Sequence, residues 1–276
     1  MPLTNPALAR LRRNEICLSA GVRHAFGPDI ARILAAAGFD VMMLDFEQTG
    51  IDYRDAGQMA VAGIEAGIAP LVRVADYSLA SIGRALAVGG LGIVAPHVET
   101  AAEAAVIVRH CRFAPEGDRG VAAAFPHFGL RPTPLADAVR DLADATMVVV
   151  QIESARGVAN AAEIAATDGV DVLLVGCTDL SVEFGRPGRY DDPDMIEACS
   201  RIVDACRRHG KTPGAGGFGE IAQFQRMLDR GMRYFAAGTD QAFLIAGAAA
   251  RVGALRALEP SRAIDSHVSS SVHGRG

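Results

Sequence analysis

The 276 residues include 27 Lys or Arg and 32 Asp or Glu, a net charge of −5, with 50% hydrophobic and 5% aromatic side chains. That balance buries a substantial core and suits a single barrel of ~250 residues, and it carries no basic excess to hold a nucleic-acid backbone. No apolar run reaches the ~20 residues a membrane helix needs. The opening MPLTNPALARLRRNE lacks the apolar region of a secretory signal, and the five cysteines form no C-x-x-C pair. Reduced thiols in a cytoplasmic protein without membrane partners are expected.

Along the chain, short apolar runs alternate with alanine-rich amphipathic stretches that end in glycine. Strands are predicted at 16–22, 41–45, 70–74, 92–96, 147–153, 170–176, 212–216 and 233–237. Helical patterns between them include PDIARILAAAG, SLASIGRALAVG, TAAEAAVIVRHCR, EIAQFQRMLDRG and QAFLIAGAAARVGALRAL. Thr100 with Glu103 reads as a capping box, and Gly38, Gly89 and Gly231 stand where helices should stop. The strands are apolar throughout, as parallel strands covered on both faces must be. Eight strand–helix repeats predict a single-domain (β/α)8 barrel over residues 1–260, with a doubly wound sheet as the competing arrangement. The segment 113–134 is too long for a plain connection and is expected to be an elaborated active-site loop. The polar, Ser-rich residues 261–276 are expected to be a disordered tail.

A barrel carries its chemistry at the C-terminal ends of its strands. Those positions are Asp45, Glu47 and Gln48 after the second strand, Arg73 on the third and His97 after the fourth. The fifth supplies Gln151 and Glu153, and the sixth leads to Asp179. Carboxylates on neighbouring strands can converge on one hard cation, and an arginine across the mouth complements an anionic or carbonyl ligand. Each acid has a plainer reading as a solvated charge, and Asp179 as the N-cap of its helix. At the first strand, His24 can approach the mouth and Arg23 can take a distal carboxylate.

In order, VMMLDFEQ, APLVRV, GIVAPHVETAAEA, FAPEGDRGV, VVVQIESARGVAN, VDVLLVGCTDLSVEFG and KTPGAGG resemble the HpcH/HpaI group of class II pyruvate aldolases over nearly the whole folded chain. The resemblance implies a metal-dependent carbon–carbon lyase, using Mg2+, Mn2+ or Co2+, that cleaves a 4-hydroxy-2-oxoacid into pyruvate, or a similar 2-oxoacid, and an aldehyde. It implies Glu153 and Asp179 as metal ligands with Gln151 beside them, and Arg73 on the substrate oxygens. The 2-oxoacid carboxylate would sit at Cys177, Thr178 and Asp179, chiefly on backbone amides. It also implies a homo-oligomer, commonly a hexamer, with the last helix packed on a neighbour. No Schiff-base lysine is required, and Lys211 is the only lysine.

One departure stands out. The family motif Asp-x-Glu-His reads Asp45-Phe46-Glu47-Gln48 here, and an amide cannot take up a proton at neutral pH. Proton transfer therefore falls to a metal-bound water, His97 or His127. Otherwise the chain runs another lyase or decarboxylase step, or binds metal and ketoacid without turnover. A citrate-lyase-type barrel acting on CoA esters calls for a basic patch that the sequence lacks. A second distraction is Gly214, Gly216 and Gly219, a G-x-G-x-x-G followed by a helix, with Asp240 beyond it. That pattern mimics an NAD-binding dehydrogenase, but its strand is short, polar and seventh in the series.

Overall fold

The structure is a computed structural model that describes residues 3–122 and 124–258. The strands are β1 (Cys17–Val22), β2 (Val41–Asp45), β3 (Ala69–Arg73), β4 (Gly92–Ala95), β5 (Met147–Ile152), β6 (Val172–Gly176), β7 (Thr212–Gly216) and β8 (Tyr234–Thr239). All pair in parallel, in chain order, and β8 closes on β1. The expected (β/α)8 barrel is what forms, and the doubly wound sheet is excluded. The first helices in chain order are α1 (Pro6–Arg12), α2 (Asp29–Ala36), α3 (Tyr53–Ala66), α4 (Leu79–Ala87), α5 (Ala101–Cys111) and α6 (Leu135–Ala145). The later helices in chain order are α7 (Ala155–Ala159), α8 (Ala161–Ala165), α9 (Cys177–Glu183), α10 (Pro193–His209), α11 (Ile221–Asp229) and α12 (Asp240–Arg256).

Local punctuation follows the sequence. Thr100 and Glu103 close the capping box of α5. Gly38, Gly89 and Gly231 adopt positive φ directly after α2, α4 and α11, the conformation that side chains with a Cβ resist. α1 has no counterpart in the strand–helix repeat. Its Ala7 and Leu8 join Cys17, Val41, Ala69 and Met147 in the cluster that fills the barrel interior, so this short helix stoppers the N-terminal end of the ring. Buried Asn5 caps it and also donates to the carbonyls of Leu91 and Ala145, which lead into β4 and β5.

The described residues divide into two compact units that part between Gln241 and Ala242, the first of which holds the barrel. The expected tail at 261–276 lies outside the described residues. No helix among the described residues is long and apolar enough to cross a membrane.

Candidate active site

Strand alternation builds the site. Val41 and Met43 of β2, Ala69 and Leu71 of β3, Met147 and Val149 of β5, and Val172 and Leu174 of β6 all belong to the interior cluster. Extending each series by two residues brings Asp45, Arg73, Gln151 and Gly176 to the same side at the C-terminal ends, and Glu153 one step further. Register agrees, since Asp45 pairs with Arg73 across β2 and β3.

A continuous polar network results. Asp45 Oδ1 accepts Arg73 Nε at 2.9 Å and the backbone N–H groups of Glu47 and Gln48 at 3.2 Å, while Arg73 Nη2 donates to Asp45 Oδ2. Arg73 Nη1 lies 2.8 Å from Glu47 Oε2, and the other Glu47 oxygen is 2.9 Å from His97 Nε2. His97 Nδ1 is 3.1 Å from Glu153 Oε2, which also accepts the His97 backbone N–H at 3.0 Å. Gln151 Nε2 donates to the other Glu153 oxygen. Asp45, Arg73, Gln151 and Glu153 are buried, whereas His97 is exposed. Periodicity does not bring His97 inward: β4 ends at Ala95, and a left-handed backbone at His97 (φ 54°) turns the ring toward the two glutamates.

The electrostatics separate the two halves of this network. Burial disfavours the Arg73 charge, but hydrogen bonds to Asp45 and the charges of Asp45, Glu47 and Glu153 hold its pKa above the ordinary value. Among the described residues Glu153 has only the exposed His97 imidazole as an ion-pair partner. Burial pushes the Glu153 carboxyl up to about 7, against the His97 N–H and imidazole, and the negative charges of Asp179 and Glu47 add to the rise. A buried carboxylate with a second one nearby is what a divalent cation neutralises. Glu153, Asp179 and the Gln151 amide offer hard oxygen donors suited to such an ion. Space is reserved there, because a Cβ on Gly176 would stand 2.4 Å from Glu153 Oε1. Among the described residues no three His, Cys, Asp or Glu side chains group to hold a metal. The fit is therefore two carboxylates and an amide, with positions left for water and ligand.

Several expectations need correction. Cys177 turns its thiol into the core, with Sγ 3.9 Å from the Val175 carbonyl oxygen and Cys199 as a hydrogen-bonding neighbour that, with burial, raises its pKa well above 9. Only its backbone can meet a ligand. Asp179 is not an N-cap: α9 starts at Cys177 with Gly176 as its cap, so Asp179 is an exposed residue of the first turn. Segment 113–134 is not an active-site loop. It joins the end of α5 to α6 and β5, which puts it at the N-terminal end of the barrel. There Arg119 donates to Thr146 at 3.3 Å and His127 Nε2 meets the Gly90 carbonyl at 3.1 Å. His127 is thereby removed as a proton carrier. Gln48 is exposed, with its backbone N–H on Asp45. Gly214 and Gly216 lie within β7, where a Cβ would strike Tyr234 and Ala236 of β8. Close strand packing, not a dinucleotide, explains them.

What sequence reasoning missed is the role of Asp240. Its carboxylate accepts the backbone N–H groups of Arg23, His24 and Ala25 at 3.1, 2.9 and 2.7 Å. This clasp fixes the turn after β1 and brings Arg23 Nε to 2.9 Å from Asp45 Oδ2. The partners are more than 200 residues apart, so no local motif announces them.

A closed parallel barrel with carboxylates, an ion-paired arginine and a histidine at its mouth is the arrangement of a (β/α)8 enzyme acting on small anionic ligands. Residues 24–247 match the model of the HpcH/HpaI aldolase/citrate lyase family, and the chain belongs to that family. It is 39% identical over 215 residues to a 4-hydroxy-4-methyl-2-oxoglutarate aldolase of Chaetomium globosum, covering 77% of this chain and 80% of that one. It is 35% identical over 222 residues to a 5-keto-4-deoxy-D-glucarate aldolase of Salmonella arizonae, covering 80% and 85%. Among solved structures, an HpcH/HpaI aldolase from Desulfitobacterium hafniense superposes with a TM-score of 0.85 at 26% identity, over 91% of this chain and 96% of that one. The chain is thus an aldolase-type lyase, and its relatives do not favour the dehydrogenase alternative. Members of the family generally depend on a divalent metal.

Proposed function

We propose that this protein is a pyruvate aldolase that cleaves a 4-hydroxy-2-oxoacid between C3 and C4, releasing pyruvate and a carbonyl fragment, and catalyses the reverse addition. The observation that carries this reading is the charge arrangement at the mouth: undercompensated Glu153 with Asp179 on one side, and Arg73 locked by Asp45 and Glu47 on the other. Glu153 and Asp179, with Gln151 beside them, would hold Mg2+, Mn2+ or Co2+. Bound there, the cation supplies Lewis-acid polarisation of the 2-oxo group and charge stabilisation as C3 becomes carbanionic.

Arg73 holds the substrate oxygens. Bidentate pairing with Asp45 and a contact to Glu47 fix its guanidinium, so its donors are aimed before substrate arrives. The backbone N–H groups of Cys177, Thr178 and Asp179 open α9 and receive the 2-oxoacid carboxylate. Gln48 cannot carry the proton lost from the C4 hydroxyl. His97 takes that part, because its Nε2 rests on Glu47 Oε1 and its exposed ring reaches the mouth. Cleavage then moves the hydroxyl proton to the His97–Glu47 pair, breaks C3–C4, forms the new carbonyl at C4 and returns a proton to C3.

A homo-oligomer, hexameric by resemblance, belongs to the same reading; α12 supports it by exposing Leu244, Ile245, Val252 and Leu255. A cytoplasmic location is supported by five cysteines that are all free thiols.

The test does not require knowing the second fragment. Metal-stripped protein is incubated with pyruvate in D2O, Mg2+, Mn2+ or Co2+ is added, and the methyl proton signal is followed by NMR. Metal-dependent loss of that signal is expected, reduced at least ~10³-fold in Glu153→Ala and Asp179→Ala. Exchange that survives in both variants refutes the site.

A further inference from the structure

His97 holds a backbone conformation that a side chain with a Cβ resists, at φ 54°. Such residues persist where their surroundings over-determine them. What fixes this one is the peptide plane between Pro96 and His97, which is held at both edges. Its N–H donates to Glu153 Oε2 at 3.0 Å, and its carbonyl oxygen accepts the hydroxyl of Tyr77. One residue on, the Val98 N–H donates to the Gln151 carbonyl at 3.1 Å. Tyr77 lies between β3 and α4, half-buried against the core, and reaches across to the end of the neighbouring strand β4. It is itself secured on both sides. His110 of α5 places Nδ1 2.8 Å from the Tyr77 carbonyl oxygen, and Asp76 accepts the Ser78 N–H and the Ser81 hydroxyl, each at 2.8 Å. Burial first, and then the negative charges of Glu103, Glu153, Glu47 and Glu99, raise the pKa of the phenol, so it stays a hydrogen-bond donor.

We propose that Tyr77 is a positioning residue for the reaction: its hydroxyl holds the Pro96–His97 peptide so that the His97 ring stays on Glu47 while the substrate is cleaved. This rests on the aldolase reading for the part that His97 plays. The two edges of the peptide are not equivalent. Glu153 would hold the cation, and a carboxylate oxygen drawn to a cation is a weaker acceptor for the His97 N–H. The Tyr77 contact involves no metal ligand, so it carries the turn in the loaded enzyme. Without it the Pro96–His97 peptide can rotate and the left-handed turn relaxes. His97 Nε2 then leaves Glu47 Oε1, from which it now stands 2.9 Å. A proton carrier displaced in this way costs turnover without costing substrate affinity.

The first readout is the set of histidine Cε1–H NMR signals of full-length protein labelled with 13C-histidine, recorded with and without Mg2+. The His97 signal is identified by its loss in His97→Gln. Tyr77→Phe should move that signal toward the position of a solvent-averaged imidazole, more so with Mg2+. It should leave the signal of His127, at the opposite end of the barrel, unmoved. The second readout is a double-mutant cycle on cleavage of 4-hydroxy-2-oxopentanoate, with released pyruvate measured. Tyr77→Phe should lower kcat about 10-fold and leave KM within about twofold. In a His97→Gln background it should change kcat by less than about twofold, because the group it positions is gone. An unmoved His97 signal overturns the assignment. So does the same loss of kcat in both backgrounds, because Tyr77 then only supports the mouth in general. Failure of the aldolase reading appears separately, as absence of metal-dependent pyruvate exchange in the wild-type protein, and the His97 signal still decides whether Tyr77 holds the turn.

Discussion

The two ends of the barrel handle buried polar groups in opposite ways. At the N-terminal end Asn5 and His127 are neutral and bonded to backbone, Asn5 spanning α1, Leu91 and Ala145 and His127 meeting Gly90, while buried Arg119 donates to the Thr146 hydroxyl with no carboxylate beside it among the described residues. At the C-terminal end Asp45, Arg73 and Glu153 are ionisable groups buried together, and among the described residues Glu153 has only the exposed His97 imidazole as an ion-pair partner. The same apolar strands join both ends, so the difference lies in the last inward residue of each strand. Burying neutral, bonded groups stabilises; burying charge costs stability unless the charge is paired, and leaving it undercompensated prepares a place for a cation and substrate.

The largest effect expected from breaking this contrast comes from Asp45→Ala. Arg73 is left buried with Glu47 as its remaining nearby carboxylate partner, and stability should fall by about 3–5 kcal/mol in denaturant titration, with turnover lost. A drop under ~1 kcal/mol would mean the pair is better solvated than its burial implies. Next is a pair of pH dependences of opposite sign. In metal-free protein Glu153 has its folded pKa raised from 4.5 to about 7. The folded state holds the extra proton, so stability should decline as pH rises from about 4.5 to 7, by up to ~3 kcal/mol. Mg2+ or Glu153→Gln should flatten that slope. His127 has its pKa lowered from 6.5 to about 4, mainly by burial. Its contribution is complete above about 6.5 and is lost as pH falls toward 4, and His127→Asn should abolish this dependence while Mg2+ leaves it intact. Thermal melts between pH 4 and 8 read both.

Asn5→Ala is the matching perturbation at the base. It removes the side-chain donor from the Ala145 and Leu91 carbonyls, of which Leu91 keeps the Met147 N–H, and uncaps two α1 amides, so a loss of about 2 kcal/mol is expected with turnover unchanged. A coupled fall in turnover would show that the ends are not independent. The smallest effect belongs to Gln48→His, expected to raise aldol cleavage several-fold by restoring a titratable group beside Asp45. If that variant is slower, Gln48 is adapted to another substrate or step.

Local pattern accounts for much of this molecule. Uniformly apolar runs of strand length, helix-stopping glycines and the Thr100–Glu103 box are short-range properties that survive into the fold. Alternation along a strand delivers Asp45, Arg73, Gln151 and Glu153 to one end without any knowledge of contacts. The base is less legible: α1 and α6 lie outside the clearest repeats, and it is α6, running between segment 113–134 and β5, that sets this segment at the N-terminal end instead of the expected mouth. Three-dimensional closure alone decides the rest. It brings β8 against β1, so that Asp240 can clasp Arg23, and it buries the Cys177 thiol against Cys199. It also reverses the backbone at His97, turning a residue of the wrong parity into the bridge between Glu47 and Glu153. Periodicity and caps are set by neighbours in the chain; the pairing of charges across a barrel mouth depends on which strands the closed ring makes adjacent.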